Sequence, residues 1–82
     1  MKMVLIEWLD SSGPGGWHFK STEPQCRVPR IRSVGWVVEE TSEALWIAPH
    51  VDEGDPSDLQ MRGDLRIPKV SILWQKDINA EG

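Results

Sequence analysis

The apolar positions of this chain gather in short runs. Two of them, residues 34–38 and Ala44–Ala48, are rich in β-branched and aromatic side chains and flank a polar segment, residues 39–43, short enough to turn the chain back on itself. This pattern predicts a β-hairpin around which the other strands are laid. Residues 4–10 read as a first strand, with Val4, Ile6 and Trp8 on the core face and Leu5, Glu7 and Leu9 on the other. Residues 11–16, with three glycines and a proline, break the chain, and residues 17–20 could pair only briefly. Residues 21–29 carry Pro24 and Pro29 and read as an ordered loop. The resulting first loop is roughly twenty residues long, more than a passive connection needs.

Residues 31–40 form the second and longest predicted strand, in which Gly35 is expected to mark a bulge or bend. Ala44–Ala48 is the third strand, ended by Pro49. Residues 52–58 form an acidic, turn-prone loop, residues 63–69 a fourth strand stopped by Pro68, and residues 70–76 the last strand. Five short strands with no helix point to an all-β fold. The expected architecture is a small five-stranded SH3-like or Sm-like barrel, partly open, with a long first loop and an acidic loop before strand four. Its bent sheet closes on itself to leave few edges. An OB-type barrel fits less well, because residues 51–62 do not supply the helix it needs between its third and fourth strands. The chain reads as one domain over residues 1–77, with residues 78–82 as a frayed tail.

Composition sharpens this picture in two ways. At 82 residues the core is small, and five Trp with one Phe and no Tyr hold much of the available apolar area. Trp8, Trp36 and Trp74 lie in strands and are expected in the core or in packing between subunits. The formal charge of −4 argues against general nucleic-acid binding, where phosphate neutralisation supplies most of the affinity. Cys26 is the single cysteine, so neither an intramolecular disulfide nor a Cys-only zinc site is expected, and a reducing cytoplasm is the easier home. The apolar run that stops at Glu7 is too short for a signal peptide or a membrane span.

Several of these segments carry a resemblance. They are Glu7-Trp8-Leu9-Asp10-Ser11 before a Gly-rich break and Trp17, then residues 33–41 (SVGWVVEET), Ile47-Ala48-Pro49, and residues 63–69 (GDLRIPK) ahead of a closing strand. Together they resemble a group of small uncharacterised proteins of bacteriophages and prophages. The resemblance spans most of the chain but consists of strand and turn signatures. It implies a phage origin, a place in the infected bacterial cytoplasm and a compact β-barrel, and it assigns no functional residue.

The most suggestive chemistry is basic and aromatic. Arg27, Arg30 and Arg32 lie around Val28-Pro29 and Ile31, with Trp17, His18 and Phe19 upstream. Arg30 and Arg32 share a face of an extended chain, and a guanidinium pair beside a Trp ring suits a ligand with a phosphate and a base. The plain alternative is that these arginines are solvated strand ends paired with surplus carboxylates. Residues 13–16 (GPGG) lack the Lys-Ser/Thr and the helix of a phosphate loop. Asp52, Glu53, Asp55 and Asp58 miss the EF-hand spacing, so no metal is expected there. His18, Cys26 and the acids form no recognisable nucleophile–base set, and the chain reads as non-enzymatic, without a cofactor. Trp46, between Leu45 and Ile47, should point outward as a patch for a partner, and lateral strand pairing into a homo-oligomer would hide it along with the sheet edges.

Three functions compete. The leading one is a phage accessory protein that captures a small anionic nucleotide, such as a host defence signal, at Trp17, His18, Arg27, Arg30 and Arg32. The second is a protein inhibitor or nucleic-acid mimic that docks on a host protein through Trp46 and the acidic face of Asp52, Glu53, Asp55 and Asp58. The third is a structural component of the virion or its assembly.

Overall fold

The computed structural model describes residues 1–11, 16–22 and 26–78. Most of the Gly-rich break, Pro24 and the tail from 79 onward lie outside the described residues. Among the described residues there are seven strands: β1 (Met3–Leu9), β2 (Arg30–Glu40), β3 (Ala44–Ala48), β4 (His50–Asp52), β5 (Gln60–Arg62), β6 (Leu65–Pro68) and β7 (Ile72–Ile78). Five form one antiparallel sheet in the order β6-β3-β2-β1-β7, and β4 and β5 form a separate hairpin. The five sheet strands are those expected from the apolar runs. The hairpin was not expected: its strands have three residues each and flank the acidic loop. Residues 17–19 join no strand, and a 3-10 turn follows at Lys20–Thr22. Among the described residues no helix is long and apolar enough to cross a membrane.

The central hairpin forms where the polar segment turns. Thr41 Oγ1 accepts hydrogen bonds from the backbone N–H groups of Glu43 at 3.2 Å and Ala44 at 3.1 Å, and Thr41 N–H donates to the Ala44 carbonyl at 2.9 Å. A side-chain oxygen thus holds the turn closed. Strands β2 and β3 follow in register, Trp36 opposite Ala48 and Val37 opposite Ile47. β2 serves two partners: residues 30–36 pair with β1, and from Trp36 onward the strand pairs with β3.

The sheet curls but its hydrogen bonds do not close it into a barrel. β6 and β7 stand at opposite ends of the ladder, and the chain passes between them through a 3-10 turn at Lys69–Ser71. The bend also differs from expectation in its cause. The extra residue in β2 is Val38, where the β3 register shifts, and a second bulge puts Leu73 between Ile72 and Trp74 on β7. Gly35 instead marks a close approach. A Cβ built on it would lie 3.1 Å from both the Ala48 carbonyl oxygen and the Ile47 Cβ.

The core sits inside the curl. Val4, Ile6 and Trp8 of β1 meet Leu45 and Ile47 of β3 and Ile67 of β6, with Ile31, Val37 and Ile72 packed around them. The Trp8 indole N–H donates to Ser33 Oγ at 3.0 Å, so the largest core side chain has its polar atom satisfied. Trp36 and Trp74 do not join this core. They pair opposite Met3 and Glu7, positions of β1 that alternate onto the outer face, and Trp74 remains 38% exposed. β7 extends to Ile78, opposite Met3, so the strand takes in the first residue of the expected tail.

Gly35→Ala should overpack this seam and cost about 1–3 kcal/mol, read as a lowered denaturant midpoint with unchanged slope. An unchanged midpoint would show that β3 is free to move away.

Candidate functional site

On β1 the residues that face away from the core are Met3, Leu5, Glu7 and Leu9, opposite Trp36, Val34, Arg32 and Arg30 of β2. This outer face has two halves. Met3, Leu5, Val34 and Trp36 make one apolar. The other centres on Glu7, which is only 7% exposed although its two strand neighbours, Arg32 and Trp74, lie at the surface.

A carboxylate in this position needs partners on both oxygens, and it has them. Arg32 Nε donates to Glu7 Oε1 at 3.2 Å, and Trp74 Nε1 donates to Oε2 at 2.8 Å. The Arg32 guanidinium also lies 5.8 Å from the centre of the Trp74 ring, within cation–π range. Burial pushes the Glu7 carboxyl up, but the hydrogen bonds from Arg32 and Trp74 and the positive charges of Arg30 and Arg32 outweigh it and hold the group below the usual carboxylate range. Because Arg32 uses Nε on Glu7, its two terminal nitrogens make no protein bond among the described residues. The clamp leaves the part of the guanidinium suited to a bidentate oxyanion turned away from its carboxylate.

Arg30 points to the same face, two residues along β2. With Arg27, Val28 and Pro29 it lines an open depression of about 440 Å³. The three arginines singled out from the sequence therefore lie along one end of β2, two of them around one depression. Comparison with protein-family models, curated proteins and solved structures finds no match to this chain.

Trp17 and His18 are placed elsewhere, in the exposed segment between β1 and β2. The Trp17 ring is fully exposed, and His18 Nδ1 lies 3.3 Å from the Gly16 carbonyl oxygen. The ring that meets an arginine is Trp74. Neither Trp74 nor Glu7 was singled out from the sequence, although a carboxylate alternating with Leu5 and Leu9 in the middle of a strand is a signal that it has a partner.

The second candidate surface has a different character. Trp46 points out of the core between buried Leu45 and Ile47, but it is half-buried. Its Nε1 donates to Asp64 Oδ2 at 2.8 Å, and the Arg66 guanidinium lies 4.0 Å over its ring. Of the acidic loop, Asp52 Oδ1 accepts from Gly54 N–H at 2.8 Å. Asp55 Oδ1 accepts from the Ser57 N–H and hydroxyl at 2.9 and 2.7 Å, bonds that hold its carboxyl below the usual range. These two acids shape the turn. Glu53 and Asp58 are exposed, and among the described residues no three His, Cys, Asp or Glu side chains gather as a metal site requires.

The lowered Glu7 value sets a sign for pH dependence. Its contribution to stability is fully present above the unfolded value near 4.5 and is lost as pH falls through the depressed folded value. Glu40, held down by its hydrogen bond and ion pair with Lys69, acts in the same direction. Glu7→Gln should therefore lower the melting temperature at pH 7 and flatten its decline as pH falls below about 5, the side of the unfolded value on which linkage puts the loss. An unaltered pH profile would remove Glu7 from the account.

Proposed function

We propose that this chain is a non-enzymatic binding protein whose ligand is a small anion of nucleotide type, held on the outer face by Arg30, Arg32 and Trp74. The observation that carries this reading is the Glu7 clamp, which fixes one guanidinium edge and one indole while leaving the terminal nitrogens of Arg32 and part of the Trp74 ring open. A phosphate satisfies the chemistry of two neighbouring guanidinium groups, and a base has an aromatic face and a guanidinium plane on which to stack. The overall charge of −4 disfavours a long polyanion but does not oppose a ligand with one or two phosphates at a locally basic end.

The fold belongs to this proposal as an SH3-like sheet. Its support is the order β6-β3-β2-β1-β7, a long second strand shared between two partners, and a 3-10 turn directly before the last strand. The sequence resemblance to small phage proteins gives the binding a purpose: removal of a host signalling nucleotide in the infected bacterial cytoplasm.

Titration with cyclic and linear nucleotides at low salt, followed by Trp fluorescence, tests this. Saturable quenching is expected, weakened by added salt. Arg30→Ala and Arg32→Ala should each cost about tenfold in affinity, the scale of one charge-assisted hydrogen bond. Unchanged fluorescence across the whole panel would discard the proposal.

A further inference from the structure

The outer face carries a cation that the Glu7 clamp does not use. No bulge falls between Trp74 and Ile78, so Lys76, two residues along β7, lies on the same side of the sheet as Trp74, whose indole reaches Glu7. Lys76 stands opposite Leu5, is exposed, and makes no hydrogen bond or ion pair among the described residues.

The pairing registers set rows of side chains across this face: Arg30 with Leu9, then Arg32 with Glu7 and Trp74, then Val34 with Leu5 and Lys76. The next row, Trp36 with Met3 and Ile78, is apolar. In a chain of net charge −4, these rows hold three cations and one carboxylate, and that carboxylate is already bonded through both oxygens. The cations fall on two sides of Trp74. Strands about 4.8 Å apart with a rise of about 3.3 Å per residue put the Cα atoms of Arg32 and Lys76 about 12 Å apart. Glu7 holds Arg32 by its Nε, so the guanidinium stays in the row of Trp74, while Lys76 approaches from the next row.

We propose that the ligand of this face is a nucleoside carrying a phosphate at each end of one sugar, the class of a nucleoside 3′,5′-bisphosphate. One phosphate sits on Arg30 and Arg32, the base stacks against the exposed part of Trp74, and the second phosphate sits on Lys76. This rests on the nucleotide reading and narrows it. Two phosphates joined directly to each other would crowd one side of Trp74 and leave Lys76 unused. A longer chain of phosphates would run from Lys76 onto the apolar row of Trp36, Met3 and Ile78.

Trp fluorescence titrations with adenosine 5′-monophosphate, adenosine 5′-diphosphate and adenosine 3′,5′-bisphosphate at one ionic strength test the proposal. They are run on the wild-type chain and on Lys76→Gln, a change at an exposed position whose fold is checked by circular dichroism. The bisphosphate should bind the wild type about tenfold more tightly than either of the other two, the scale of one charge-assisted hydrogen bond. Lys76→Gln should remove that margin and leave the affinities for the monophosphate and the diphosphate unchanged. A diphosphate that binds as tightly as the bisphosphate, or a Lys76→Gln chain that keeps the margin, would overturn the two-sided ligand while the nucleotide reading stands. Quenching by none of the three would overturn that reading, and the two-sided ligand with it.

Discussion

β1 is hydrogen-bonded along both edges, to β2 and to β7, and the strict alternation of its side chains sets what both faces of the sheet can be. Val4, Ile6 and Trp8 supply half of the buried core cluster. The intervening residues look outward, and Glu7 among them is tied to a neighbour on each side. Slipping β1 by one residue would send the core side chains to the surface and place Glu7 among Leu45, Ile47 and Ile67, where an ion would have no partner. The register that builds the core is thus the same one that builds the outer clamp.

That coupling gives the outer face its chemistry. A carboxylate that accepts from an arginine Nε and an indole N–H aligns two flexible side chains, which would reduce the ordering cost of the binding proposed for this face. Trp46 on β3, Asp64 just before β6 and Arg66 on β6 repeat the same combination of indole, carboxylate and guanidinium. There the arginine lies closer over the ring, and the outward tryptophan has a carboxylate and a guanidinium of its own beside it.

The main sheet was legible because its strands hold short apolar or alternating stretches, richest in β-branched and aromatic residues in β1, β2 and β3, set off by Gly, Pro or polar turns. The face assignment of β1 followed from alternation alone, as did the outward position of Trp46. The hairpin of β4 and β5 was not legible: Val51 and Met61, paired with each other, are the only apolar residues in its strands. Bulge positions were missed because a bulge depends on the register between two strands, which no single strand encodes. Gly35 drew attention as the flexible residue, while the shift occurs at Val38. At the candidate site the arginines could be found from their spacing. Glu7 and Trp74, 67 residues apart, could be joined only by the pairing of the first strand with the last.

The central claim is that Glu7 is an ionised carboxylate held in place by Arg32 and Trp74. A carbon-detected NMR titration of the glutamate side-chain carboxyls, with Glu7 assigned through its Gln variant, measures this directly. The account predicts a Glu7 midpoint below that of the freely exposed glutamates, with the Trp74 indole proton shifting at the same pH. A midpoint at or above the ordinary glutamate value, or an indole signal that ignores it, would contradict the clamp and the binding face built on it.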